Sequence, residues 1–284
     1  MTLRLGTDRP LLVPFLTGGV TADWTDYLLA YQEAGADAIE VGLPFSDPML
    51  DGTTIQQASD QALTRGATVE AILHELAAIR GRLRVPIIVM AYANLVLKVG
   101  IERLAQAGVS GLIVSDLPLE ESAELESAAA AAGIDMILLV APVTPDDRLR
   151  QICLRSQGFV YAVSVMGVTG ERTTLAPEAE ALARRAKLLL TEPGVDGSHA
   201  GSRDDENPVQ RLPVLIGFGV STPEQAAVAG RAGDGVVVGA ALMRRVLDGA
   251  SPADLRREVG ALRAALDQGV STATPYAEIS GDRG

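Results

Sequence analysis

The sequence predicts a single (β/α)₈ barrel. Three observations carry that expectation. Eight short apolar runs are followed by Ala-rich amphipathic stretches, Gly, Pro or Asp punctuates each junction, and eight such units fill about 250 residues, more strands than an open doubly wound sheet usually holds. The 284 residues, 48% hydrophobic and 21% charged, suffice for one large core. The barrel is therefore expected to be one domain over 1–284.

The runs follow in order. LLVPFLT (11–17) leads into TADWTDYLLAYQEAG (21–35), which has capping residues near its start and Gly at its end. AIEVGL (38–43) comes next, then PIIVMAY (86–92) and GLIVSD (111–116). The helical pattern LEESAELESAAAAAG (119–133) again begins near a Ser and stops at a Gly. MILLVA (136–141) precedes RLRQICLRS, whose Cys153 lies on the apolar side of a helix, so this single thiol reads as buried and not as a nucleophile. FVYAVSV (159–165), PVLIGFG (213–219) with TPEQAAVAGRAG (222–233), and GVVVGA (235–240) complete the series. The segment 191–211 breaks the rhythm: it is rich in Gly, Ser, Asp and Pro and reads as a flexible insertion, and the tail from 271 is expected to be mobile.

Composition excludes several function classes. A net charge of −12 argues against nucleic acid and anionic membrane as partners. The longest apolar runs fall far short of the roughly 20 residues that span a bilayer, and MTLRLGTDRP is polar where a leader would be apolar, so a cytoplasmic location is expected.

The second run holds an anomaly. Alternation puts Ala38, Glu40 and Gly42 on one face and Ile39, Val41 and Leu43 on the other. A carboxylate on the inward face of a buried strand is costly or holds its proton, so Glu40 reads as functional. Asp51, in the loop that follows, points toward the same mouth, because barrel function gathers at the C-terminal strand ends. Glycines cluster after the last three runs, in GVTG (167–170), GFG (217–219) and VGAA (238–241), which suits a backbone cradle for phosphate. Lys98 and Lys187 lie in helical patterns away from strand ends, leaving no Schiff-base nucleophile. His74 and His199 offer no zinc site. What remains is acid-base catalysis without metal or cofactor, with Glu40 and Asp51 as the pair.

The motifs PFLTGG, EVGLPFSDPMLDGTTIQ, YANLV, SDLPLEES, GVTG, GFGVSTPEQ and DGVVVGAAL, with the two carboxylates eleven residues apart, resemble the α subunit of tryptophan synthase over nearly the whole chain. The resemblance implies retro-aldol cleavage of indole-3-glycerol phosphate to indole and glyceraldehyde 3-phosphate. It implies Glu40 as the acid over indole C3 and then the base, and Asp51 as acceptor of the ring N–H. By the same resemblance Thr169 bonds Asp51 on loop closure, Tyr161 lies beside the reacting centre, and Phe15, Met90, Ile113, Leu139 and Phe218 hold the indole. Gly170, Gly219, Gly239 and Ala240 match the phosphate site, and a β subunit, in an αββα-type assembly, is the implied partner. The chain departs from the family at Ala240, where Ser is usual, at Val20, where Asp is usual, in a nearly absent leading helix, in a shorter third helix and in the 191–211 insertion. Two other readings stay open: a stand-alone lyase that releases free indole, and a weakly catalytic barrel that mainly activates a β-type partner.

Overall fold

In the computed structural model, residues 3, 5–6, 8–163, 177–191, 211–217 and 219–271 are described. The apolar runs become parallel strands of one sheet: β1 (Leu11–Thr17), β2 (Ile39–Gly42), β3 (Ile87–Ala91), β4 (Val109–Val114), β5 (Asp135–Met136), β6 (Leu138–Val140), β7 (Val160–Val163), β8 (Val214–Gly217) and β9 (Gly235–Val238). They lie in the order β5-β4-β3-β2-β1-β9-β8-β7-β6. Because β1 pairs with both β2 and β9, and β5 runs into β6 through Ile137 alone, the sheet curls back on itself as a barrel.

The predicted fifth strand is thus two strand segments. Its first half pairs with β4 and its second half with β7. At the changeover two side chains substitute for a neighbouring strand: the Met136 and Leu138 amides donate to Gln157 Oε1 and Ser156 Oγ, each at 3.0 Å. The Ile137 amide still donates to Leu112 O at 2.9 Å, so the pass stays continuous.

The helices pack outside: α1 (Trp24–Glu33), α2 (Thr53–Thr64), α3 (Val69–Ile79), α4 (Ala93–Val99), α5 (Ile101–Gln106), α6 (Ala123–Ala131), α7 (Asp146–Arg155), α8 (Pro177–Leu189), α9 (Pro223–Ala232), α10 (Ala240–Leu247) and α11 (Pro252–Ser271). No described helix is long and apolar enough to cross a membrane. The three predicted caps fare differently. Thr222 starts α9 with a full capping box, whereas Asp23 and Ser122 make no side-chain cap bond at α1 and α6. Gly35 does end α1 in the left-handed region, at φ +92°. No helix precedes β1 among the described residues. Cys153 is buried in α7, and burial pushes its thiol up to about 11. Residues 192–210 and 272–284, where the insertion and tail were expected, lie outside the described residues.

Strand alternation divides the core in two. Ile39, Val41, Val89, Leu112 and Val160 face outward against the helices, while Leu11, Val13, Ala38, Ile88, Ile137 and Leu215 fill the barrel. Two inward glycines near the mouth make room for rings. A Cβ on Gly42 would stand 2.5 Å from Phe15 Cζ, and one on Gly217 would stand 2.2 Å from Tyr161 Cε1. Only glycine fits at either place without displacing an aromatic side chain.

Candidate active site

Glu40 sits where alternation put it. Its Cα is in register with Phe15 of β1 and Ile88 of β3, and only 1% of the residue is exposed. Oε2 is buried and has no hydrogen-bond partner among the described residues. Burial pushes its pKa up to about 8, with the negative charge of Asp51 adding to the effect. Tyr161 is buried in the same interior, and desolvation together with Glu40 holds its phenol well above the ordinary value.

Asp51 comes from the loop between β2 and α2. The loop is held by backbone contacts: Tyr92 Oη accepts from the Leu50 amide at 3.1 Å, and Gln56 Nε2 donates to Asp51 O at 2.9 Å and Pro48 O at 3.2 Å. Tyr92 is itself fixed by the Phe45 ring, at a centroid distance of 4.7 Å, and by its place just before α4, whose Ala93 amide donates to Asp116 Oδ1 at 2.7 Å. Partial burial raises the Asp51 carboxyl to about 6. Burial thus raises both carboxyls, and Glu40, the deeper of the two, the further.

A cavity opens at the C-terminal ends of β1 to β4, with Asp51, Phe15, Met90 and Tyr92 in its wall. Glu40 and Tyr161 lie below it in the barrel interior; Ile113 is fully buried there, with Leu139 packed against the same cluster. Phe15 stands between the cavity and the other side of the mouth: its ring lies over Gly42, and a Cβ on Gly239 would sit 3.6 Å from the Phe15 Cβ. Beyond it, Gly219 takes φ +80° and Gly239 leads into α10 at Ala240. The first amides of α10 have no acceptor within the helix, which leaves them for an anion. Thr169, Gly170 and Phe218 lie outside the described residues. Lys187 is at the opposite end of the barrel, donating to Gly233 O at 2.9 Å and paired with Asp234 at 2.9 Å.

The match to known proteins is decisive. A family model described as tryptophan synthase alpha chain matches residues 3–207 and 205–270. The chain belongs to the tryptophan synthase alpha chain family. Among relatives called tryptophan synthase alpha chain, one from Citrifermentans bemidjiense is 41% identical over 91% of each chain. One from Gloeobacter violaceus is 45% identical over 82% of this chain and 79% of its own. Of solved structures, a tryptophan synthase chain from M. tuberculosis superposes with TM-score 0.78 at 34% identity, covering 94% of this chain and 99% of that one. A chain from the tryptophan synthase a2b2 complex of Pyrococcus furiosus does so with TM-score 0.77 at 34% identity, covering 90% and 99%.

For this tryptophan synthase alpha chain relative, sequence reasoning missed several residues of the cavity wall: Thr17, Ile55, Ser59, Tyr92 and Ser115. Thr17 is 1% exposed, and its buried Oγ1 has no hydrogen-bond partner among the described residues. Its position was readable from alternation, since it continues the inward series of Leu11, Val13 and Phe15. Tyr92 carried a signal too, a lone aromatic at the end of a strand-like run.

Proposed function

We propose that the protein cleaves indole-3-glycerol phosphate to indole and glyceraldehyde 3-phosphate, as the alpha chain of a tryptophan synthase, within one barrel domain and in the cytoplasm. The observation that carries this reading is the buried Glu40 carboxyl on the inward face of β2, its Oε2 without a hydrogen-bond partner among the described residues, with the Asp51 carboxyl in the wall of the cavity above it and burial raising the pKa of both. The bond to indole C3 breaks only when the ring can accept its electrons. Protonated Glu40 delivers a proton to C3, and ionised Asp51 accepts the ring N–H and balances the positive charge that grows on nitrogen. The carboxylate left on Glu40 then removes the proton of the side-chain hydroxyl next to the breaking bond, and the carbonyl of the aldehyde forms. Phe15, Met90, Ile113, Leu139, Tyr161 and Phe218 enclose the indole. Thr169 meets Asp51 on closure, and the backbone of Gly170, Gly219, Gly239 and Ala240 holds the phosphate.

Family membership supports a second chain as partner, a tryptophan synthase β subunit that consumes the indole. The test is indole release from indole-3-glycerol phosphate by wild type and Glu40→Gln, with and without added β subunit. Wild type is expected to turn over, faster with the partner, and the Gln variant to lose at least about 10²-fold, the usual scale for a positioned acid. Equal turnover by the two would sink the assignment of Glu40.

A further inference from the structure

The proposed phosphate end and the Asp51 loop lie on different elements that pack together, and one side chain hydrogen-bonds across. Arg244, one turn along α10 from Ala240, reaches across to the first turns of α2: Nη1 donates to Gln57 Oε1 at 3.0 Å and Nη2 to Thr54 Oγ1 at 2.9 Å. Residues 54 and 57 are three apart on one helix face, which presents two acceptors to the planar fork of a guanidinium. Both acceptors are neutral, and Arg244 pairs with no carboxylate among the described residues. Its neighbour Arg245 makes the ordinary surface contact, an ion pair with Glu258 at 2.7 Å. Arg244 is instead half-buried and committed to α2.

The other links of the chain are short. α2 starts two residues after Asp51, and Gln56, beside Gln57, donates to the Asp51 carbonyl at 2.9 Å. α10 is fixed at its other side by Met243, whose Sδ accepts from the Thr17 amide at 3.4 Å. These contacts form a continuous path from the head of α10 through Arg244 to the base of the loop that holds Asp51.

We propose that Arg244 is a positioning residue that couples phosphate binding at Gly239 and Ala240 to the placement of Asp51. The proposal rests on the reading of the site given above. It assigns Arg244 no contact with the reacting atoms. Its effect belongs in kcat, because it sets where Asp51 stands when the phosphate is already bound.

The experiment uses the full chain, glycerol 3-phosphate as probe and two independent disruptions. Arg244→Met keeps the apolar stem and removes the donors; Thr54→Val with Gln57→Met removes the acceptors and leaves Arg244 in place. In wild type, glycerol 3-phosphate is expected to slow amide exchange both at 239–243 and at 48–57. In either variant, protection at 239–243 persists and protection at 48–57 is lost. For cleavage of indole-3-glycerol phosphate, kcat falls about 10-fold with KM within about 3-fold, and Arg244→Lys, which can serve one acceptor, recovers part of it. Protection at 48–57 that survives both disruptions overturns the proposal, as does a loss confined to KM. If wild type cleaves the substrate yet glycerol 3-phosphate protects only 239–243, the coupling fails while the function stands. If wild type shows neither cleavage nor protection at 239–243, the function falls and the coupling with it.

Discussion

At the scale of single residues, the candidate site holds two acids that burial raises unequally, Asp51 to about 6 and Glu40 to about 8. The proposed reaction needs the first ionised and the second protonated. The pH profile of kcat/KM is therefore expected to be a bell, with an acid limb about pH 6 and an alkaline limb about pH 8. Asp51→Asn should remove the acid limb from whatever activity survives; a profile that keeps it would assign that limb to another group. Glu40 also carries a stability cost. Its unfolded carboxyl ionises near the ordinary 4.5, whereas the folded one keeps its proton to about 8. Between those values the native state binds the extra proton, so stability falls as pH rises and levels off above about 8. Glu40→Gln, which cannot ionise, should melt close to wild type near pH 5 and progressively above it toward pH 8, by an amount on the order of a few kcal/mol. Thermal melts of both proteins across that range check the sign. A constant offset would mean that the burial of Glu40 is relieved in some other way.

At the scale of elements, the strands were legible because a parallel strand buried on both faces must be an apolar run bounded by turn residues. β1 matches its predicted limits, 11–17, residue for residue. The split at Ile137 was not legible, since it depends on acceptors offered by Ser156 and Gln157, distant partners that no local pattern announces. The candidate site followed the same division. Glu40, Phe15 and Met90 were placed by alternation or motif, but the need for Gly42 and Gly217 arises only when a facing strand brings up a ring. That yields a prediction. Gly217→Ala introduces a methyl that overlaps the Tyr161 ring, and overpacking of this kind costs about 1–3 kcal/mol. Because Tyr161 borders Glu40, indole release should fall together with stability. Urea unfolding and the cleavage assay on one sample decide it, and full activity with unchanged stability would show that Tyr161 has room to move.

At the scale of the whole molecule, the barrel is fastened at the face away from its mouth. α11 packs on α1 and α9, and from it Arg263 donates to Asp37 Oδ2 at 3.0 Å, Pro10 O at 2.8 Å and Asp267 Oδ1 at 2.6 Å. Asp37 in turn accepts from the Leu12 amide at 2.8 Å, so one buried cation ties the last helix to the entrance of β1 and β2. Arg263→Met should cost about 2–4 kcal/mol in urea unfolding, since it strands a largely buried carboxylate that keeps, among the described residues, only Arg9 as ion-pair partner. Turnover per folded molecule should be unchanged, because this end of the barrel serves stability. A variant as stable as wild type but catalytically impaired would reverse that division of labour.

The depth of Glu40 has one more consequence, which concerns where its proton comes from. An acid cut off from water would ordinarily be slow to reload between turnovers. In the proposed reaction it does not have to: the proton handed to indole C3 is replaced by the one taken from the substrate hydroxyl, and the enzyme leaves each cycle as it entered. The substrate brings its own proton and the carboxyl relays it. In heavy water the hydroxyl exchanges before binding, so the indole released should carry deuterium at C3, delivered by a group that need never meet the solvent.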